Sequence, residues 1–143
     1  MKRGPSDSED PRSIRTIAVT VEDVVAALEA TRRGGRKTVL RITPPFSGRM
    51  RARLHVEAEE GGYEGDVRPV HVHPERLVED VPPYPDVDET AAELEAYDVD
   101  THRKRHTKAV REWRELVRSR IGDRALISID GDAHEVEVVR LGD

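Results

Sequence analysis

The chain has 143 residues, about the size of one domain with one core, and 36% of them are apolar. It contains no cysteine, which excludes disulfides, cysteine-based zinc sites and a thiol nucleophile. The 24 Lys and Arg residues and 29 Asp and Glu residues give a net charge of −5. No stretch approaches the roughly 18 consecutive apolar residues of a membrane span, and the first residues lack the apolar region of a secretory signal. We therefore expect a soluble cytoplasmic protein that makes no use of a membrane.

The first part of the chain predicts a strand followed by a helix. Residues 1–12 are polar and contain Gly and Pro, which predicts a disordered tail ahead of a single domain over residues 13–143. Residues 13–20 alternate in polarity and are rich in β-branched side chains, which favours a strand. Thr20 is placed to cap a helix that ends near Gly34. The apolar stripe of this helix consists of Val21, Val24, Val25 and Leu28.

Two further alternating stretches, residues 37–43 and 49–57, predict a hairpin. The segment between them, PPFSG, contains two prolines that cannot continue a ladder, so it suits a five-residue loop. One register keeps the apolar side chains of both strands on the same side. That register places Arg41 directly opposite Arg51 on the other side.

The remaining elements follow from the same patterns. Residues 67–73 alternate like a strand, and Pro74 is suited to open a short helix. Helices are predicted over 88–97 and 101–121, the second capped by Asp100 or Thr101, and a closing hairpin is predicted around residues 130–132. The sequence thus predicts an α+β single domain with a largely antiparallel sheet, helices on one face and the order β-α-β-β-β-α-α-β-β.

Composition carries one resemblance. The chain has no Asn and no Gln, and only 4 of its 24 basic residues are lysines. With this usage, the stretches SIRTIAVTVEDVVAALEATRRGGRKTVLRITPPFSGRMRARLHV and DTHRKRHTKAVREWRELV resemble an uncharacterised haloarchaeal protein family. The resemblance brings no activity and no site residues. It does imply a cytoplasm molar in salt, where the Debye length is about 3 Å and only geometrically matched arginine contacts would bind an anion.

Arginines line one side of the predicted hairpin, at positions 41, 49, 51 and 53. Guanidinium groups bind phosphate bidentately, so Arg41, Arg49, Arg51 and Arg53 are candidate residues for binding a nucleic acid or another anion. An acidic protein is an alternative partner, and so is the chain's own segment 57–100, whose charge is −13 against +6 for residues 1–56. The structural alternative is a solvated strand face that guards against edge pairing.

Histidines form two pairs with spacings that suit a metal. His71 and His73 would share one strand face, and His102 and His106 would share one helix face, so together they could hold a transition metal such as zinc. Alternatively, the helical pair lies at the rim of the core, because it shares a stripe with apolar side chains. Those side chains are Val110, Trp113 and Val117.

No motif in the sequence names a reaction, and we assign no catalytic residue. The serines lack the context of a nucleophile elbow, and proton transfer by His55 or His71 beside the arginines is the one route to catalysis, cleavage of a phosphodiester. We expect a small non-enzymatic binding module without a cofactor. The alternatives are the histidine metal site and a protein interaction module without nucleic acid, including a homo-oligomer. The apolar centre of such a protein interface would come from Phe46, Met50, Tyr84 or Tyr97.

Overall fold

A computed structural model describes residues 9–57 and 67–142, and the elements in these ranges follow the predicted order with one strand divided in two. The strands are β1 (Thr16–Thr20), β2 (Thr38–Ile42), β3 (Arg49–Arg51), β4 (Arg53–Val56), β5 (Val70–Val72), β6 (Arg124–Ile129) and β7 (Asp132–Leu141). The helices are α1 (Val21–Arg32), α2 (Val87–Ala92) and α3 (Val99–Ser119), with short 3₁₀ helices at Pro11–Ser13 and Pro74–Arg76.

The strands form two sheets. The first has the order β3-β1-β7-β6 and is mixed, because β1 runs parallel to both β3 and β7 while β6 and β7 are antiparallel. The second has the order β4-β2-β5 and is antiparallel throughout. The prediction of a single α+β domain is confirmed, with antiparallel pairing everywhere except around β1.

The opening strand and helix form as their sequence predicts. Ile17 and Val19 of β1 are fully buried, as the alternation requires. Thr20 Oγ1 accepts a hydrogen bond from the Asp23 N–H at 3.1 Å and so caps α1. Beyond the last turn, Gly34 has a φ of +77°, a left-handed conformation that favours glycine.

The predicted hairpin register is wrong by two residues, because residues 49–56 are shared between the two sheets. The Ala52 N–H donates to the carbonyl of Ala18 in the first sheet, at 2.9 Å. Pairing with β2 begins only at β4, so Arg41 lies opposite Arg53 instead of Arg51. A shift of two residues preserves the alternation of side chains, and the arginines therefore stay on one side of the strand as predicted.

Three other boundaries differ from the prediction. The helix predicted over residues 88–97 is shorter, and α2 ends at Ala92. Of the predicted tail, residues 1–8 lie outside the described residues, whereas Pro11–Ser13 forms a helical turn and Arg12 pairs with Asp132 at 3.3 Å. The long helix α3 is capped by Asp98, because its carboxylate reaches the N–H of Thr101 at 2.9 Å.

The core lies between the inner faces of the two sheets and the helices. Val24 and Leu28 of α1 pack there against Leu40 and Ile42 of β2, and all four are fully buried. Trp113 of α3 closes the core, and its indole N–H donates to the Pro82 carbonyl at 2.9 Å. Across residues 9–57 and 67–142, no helix is long and apolar enough to span a lipid bilayer.

Candidate anion-binding face

The second sheet gathers basic side chains on its outer face. Arg41 of β2 lies opposite Arg53 of β4 and opposite His71 of β5, while His55 lies opposite Val39. Cross-strand partners share a face, so these side chains stand together on the side away from Leu40 and the core. Arg51 precedes Arg53 by two residues but pairs with Ala18 in the first sheet, so it lies beside this face and not within it. We call Arg41, Arg53, His55 and His71 the Arg/His face.

Contacts within the Arg/His face crowd cationic and imidazole groups together. Arg41 Nη1 lies 3.4 Å from His55 Nδ1, and the ring centroids of His55 and His71 are 5.5 Å apart. The backbones of Arg41 and Arg53 are direct cross-strand partners. Like charges at opposite positions of a sheet destabilise it, so this arrangement is unfavourable unless an anion lies over it.

One carboxylate contacts the edge of this face. Glu57 accepts a hydrogen bond from His71 Nδ1 at 2.7 Å, and its other oxygen lies 3.6 Å from Lys37 Nζ. Among the described residues, no other carboxylate forms an ion pair with a member of the face. Two guanidinium groups and a lysine are therefore accompanied by one ion-paired acid among the residues that the structure describes.

Two polar atoms at or beside the face are buried without a hydrogen-bond partner among the described residues. The Nε atoms of Arg41 and Arg51 are inaccessible to solvent, and within the described part of the chain neither has a hydrogen-bond acceptor. Buried donors are nearly always satisfied in proteins, and an unsatisfied one costs about 1–3 kcal/mol. Within the described residues, these two donors therefore lack acceptors.

Electrostatics sets the protonation of two neighbouring groups. Burial lowers the pKa of the His55 imidazole, and the charges of Arg41 and His71 lower it further. Burial raises the pKa of Glu57, but the hydrogen bond from His71 and the charge of Lys37 together bring it below the ordinary value. At neutral pH, His55 is therefore a neutral imidazole and Glu57 a carboxylate.

The structure brings some predicted site residues together and separates others. Arg41 and Arg53 belong to the Arg/His face, whereas Arg49 and Arg51 lie opposite Thr16 and Ala18 in the first sheet. The sequence analysis named His55 as a proton-transfer group but not as a residue of the binding site, and it left Glu57 out. The signal was nevertheless present, since both residues continue the alternate positions of the arginine series.

The four histidines predicted to bind a metal have separate surroundings. His71 is bonded to Glu57, whereas His102 Nε2 lies 2.9 Å from the Val87 carbonyl and His106 Nδ1 lies 3.2 Å from Thr90 Oγ1. His73 sits ahead of the 3₁₀ helix at Pro74–Arg76. In residues 9–57 and 67–142, no group of three or more His, Asp or Glu side chains could hold a metal ion. The geometry therefore gives the metal site no support.

Aromatic side chains are scarce beside the arginines. Phe46, a candidate for stacking on a base or for an apolar interface, is only 3% exposed and belongs to the core. Tyr84 packs edge-on against Trp113 at a centroid distance of 4.9 Å. Tyr97 is 63% exposed, but it lies at the start of α3 against His102, outside the Arg/His face.

A second polar cluster, in the cleft between α1 and α3, is already internally satisfied. The buried Glu29 carboxylate accepts two hydrogen bonds from Arg114, at 2.7 and 2.9 Å, and one from the Tyr84 hydroxyl at 2.9 Å. The bonds from Arg114 lower the pKa of Glu29 despite its burial. Because each donor has its acceptor, this cluster is structural, and the Arg/His face is the better candidate for a site.

Fold and face together define a small α+β protein with a basic outer sheet face. Residues 4–142 match the family described as a domain of unknown function, DUF8009, and the chain belongs to that family. No curated protein and no solved structure matches it. Membership of a family without an assigned activity, which the sequence resemblance implied, is confirmed.

Proposed function

We propose that this protein binds the phosphate groups of a nucleic acid on the Arg/His face. The proposal is supported above all by the crowding of Arg41, Arg53, His55 and His71 on one sheet face, where Glu57 is the one ion-paired carboxylate among the described residues. Phosphate oxygens would supply acceptors, and their charge would offset the repulsion between Arg41 and Arg53. Guanidinium groups suit this role because they bind phosphate through two parallel hydrogen bonds.

The composition of the face favours a nucleic acid over an acidic protein. Protein interfaces usually have an apolar centre, but Val39, the apolar residue of this face on β2, is fully buried. The exposed apolar side chains of β4, Leu54 and Val56, point to the opposite side of the strand. Phosphate contacts position a nucleic acid without reading its sequence. We therefore expect binding with little sequence preference.

Salt dependence follows from the burial of the guanidinium groups. The acid-rich composition and the haloarchaeal resemblance support a working environment of high salt. Exposed charges are screened within about 3 Å in molar salt, whereas partly buried pairs are screened much less. We expect affinity to fall with salt at first, as counterion release requires, and a residual interaction to persist at molar KCl.

Fluorescence anisotropy with labelled single-stranded RNA and DNA of mixed sequence, from low to molar KCl, tests the proposal. Arg53→Glu reverses an exposed charge on the face, and Arg111→Glu makes the same change on the exposed side of α3 as a matched control. Arg53→Glu should weaken binding about tenfold, a loss of about 1.4 kcal/mol, while Arg111→Glu should leave the Kd nearly unchanged.

Equal affinities of the wild type and Arg53→Glu would contradict the proposal, as would an equal loss in Arg111→Glu. Polyglutamate serves as a competitor in the same assay. If polyglutamate displaced the labelled strand at a lower concentration of negative charge than unlabelled nucleic acid requires, the face would be assigned to an acidic protein instead.

A further inference from the structure

The pair of histidines on the Arg/His face carries an inference beyond binding. We infer that the face cleaves RNA by transesterification from the 2′-hydroxyl, with His55 as general base and His71 as general acid. This inference rests on the proposed function, since the same arginines would hold the phosphate that reacts. It names RNA as the substrate class.

The separation of the two imidazoles suits a single phosphodiester. His55 on β4 and His71 on β5 flank β2 on opposite sides, and their ring centroids are 5.5 Å apart. A proton-transfer group must lie about 2.6–3.2 Å from the oxygen that it serves. Two groups at this separation can therefore reach the attacking and the leaving oxygen of one phosphate.

His71 is oriented by its contact with a carboxylate. Its Nδ1 donates to Glu57 Oε1 at 2.7 Å, and Glu57 is itself held by Lys37. In the described residues, Nε2 of His71 has no hydrogen-bond partner, so this nitrogen remains for a substrate. Glu57 is thus a positioning residue, which fixes the orientation of the ring in the way that a carboxylate fixes other catalytic histidines.

His55 meets the requirement for a base. Burial, Arg41 and His71 all lower the pKa of its imidazole, so the ring remains unprotonated at neutral pH. Arg41 Nη1 approaches its nitrogens at 3.4 and 3.5 Å, at the long end of a hydrogen bond. A phosphate is a stronger acceptor than imidazole, so Arg41 would turn to the substrate and release His55.

The reaction balances without a co-reactant. His55 removes the proton of the 2′-hydroxyl, the 2′-oxygen forms a bond to phosphorus, and the bond from phosphorus to the 5′-oxygen breaks. His71 acts as an imidazolium in this step: it gives the proton of Nε2 to the departing 5′-oxygen and keeps the Nδ1 proton that it donates to Glu57. Arg41 and Arg53 hold the non-bridging oxygens, where negative charge accumulates in the transition state. The products are a 2′,3′-cyclic phosphate and a 5′-hydroxyl.

A DNA oligonucleotide that contains one ribonucleotide tests the inference on the full chain. Cleavage is expected only at the ribonucleotide, with a 2′,3′-cyclic phosphate identified by mass spectrometry, while the all-DNA strand binds and stays intact. His55→Ala and His71→Ala should each lower the cleavage rate about 100-fold or more. His106→Ala, a half-buried histidine of α3, is the matched control and should cleave like the wild type.

Glu57→Gln distinguishes positioning from a merely structural role. It should lower kcat with little change in KM, and it should alter the pH dependence of kcat, because the ring of His71 loses its carboxylate. The titratable and charged groups that face His71 are Arg41, Arg53, His55, Glu57 and Lys37. A wild-type pH profile in Glu57→Gln would overturn the role of Glu57.

Each outcome separates cleavage from binding. Binding of both strands without cleavage overturns the inference and leaves the proposed function standing. Cleavage that survives in both His55→Ala and His71→Ala overturns it as a contaminant. Failure to bind either strand overturns both. The anisotropy of the all-DNA strand shows that each variant is folded, and His55→Asn replaces His55→Ala if the latter fails this check.

Discussion

Arg41 is the residue at which stability and binding conflict most directly. It sits on the central strand of the second sheet between Arg53 and His71, and its Nε is buried without an acceptor among the described residues. A side chain in this position is retained at a cost to the folded state. An apolar replacement of similar length would remove that cost along with the donor.

Arg41→Met should therefore stabilise the protein or leave it unchanged, with a gain of about 0.5–1 kcal/mol in the free energy of unfolding. Nucleic-acid binding should weaken about tenfold in the same variant. Urea unfolding at low salt measures the first quantity and anisotropy the second, with Arg111→Met as the control for loss of a charge. A variant that lost about 2 kcal/mol or more would show that the folded state depends on the Arg41 guanidinium.

Glu29 differs from Arg41, because its buried carboxylate has hydrogen-bond partners in Arg114 and Tyr84. Arg114→Met should destabilise the protein at neutral pH by about 1–2 kcal/mol, because a buried carboxylate loses its charged partner while Arg114 itself was 44% exposed. In the wild type, the pKa of Glu29 is lowered, so its contribution is present above pH 4.5 and lost as the pH falls through the folded value.

The gap in melting temperature between the wild type and Arg114→Met should accordingly narrow below about pH 4.5. Arg118→Met is the matched control, because it removes a surface pair whose acid, Glu22, is 74% exposed. It should cost less than about 0.5 kcal/mol at any pH. A gap that did not change with pH would assign the loss to packing of the Arg114 stem.

At the scale of elements, the strand over residues 49–56 joins the two sheets. Ala52, fully buried, is the point where pairing passes from β1 to β2. Beyond it, the Leu54 N–H finds an acceptor in the Asp23 carboxylate at 3.3 Å, so α1 covers the edge that β1 no longer pairs. This junction sets the placement of Arg51 relative to Arg53.

Ala52→Leu should destabilise the protein by about 1–3 kcal/mol, because a larger side chain in a packed position displaces its neighbours. Ala133→Leu, at an exposed position of β7, should have little effect. Thermal unfolding measures both. We also expect Ala52→Leu to weaken nucleic-acid binding, since Arg51 and Arg53 would shift relative to one another. Unchanged stability would mean that the space around Ala52 can hold a larger side chain without displacing its neighbours.

Local patterns predicted most of these elements, and long-range pairing accounts for what they missed. The alternation of residues 49–56 fixed the side on which the arginines lie, and the Thr20 cap predicted the start of α1. Hydrophobic alternation is the same for every partner strand, so it could not show that β1 takes half of this strand in parallel. For the same reason the face was predicted around Arg51 opposite Arg41, and neither His55 nor Glu57 was included among the binding residues.

For the whole molecule, the uneven distribution of charge governs the response to salt. Residues 1–56 carry +6 and residues 57–100 carry −13, so like charges are concentrated within each part of the chain. Self-repulsion of this kind opposes compaction, and salt screens it. Surface ion pairs such as Arg118 with Glu22 act in the other direction, but each contributes little.

The melting temperature should rise from low to molar KCl. Choline chloride at the same ionic strength separates screening from specific ion effects, because it should give a similar initial rise if screening is the cause. A fall in melting temperature with either salt would show that attractive pairs outweigh the repulsion. Light scattering on the same samples tests the predicted homo-oligomer.

The pairing of β1 also constrains the order in which the protein can fold. Thr16 pairs with Arg49 on one side and with Glu137 on the other, so the strand needs one neighbour from nearby and one from far along the chain. Contacts of such long range slow folding, because the intervening chain must close first. During synthesis, β1 and β3 emerge long before β7 is translated. β1 would therefore expose an unpaired edge until β7 has left the ribosome. A chaperone that shields this edge would increase the yield of folded protein.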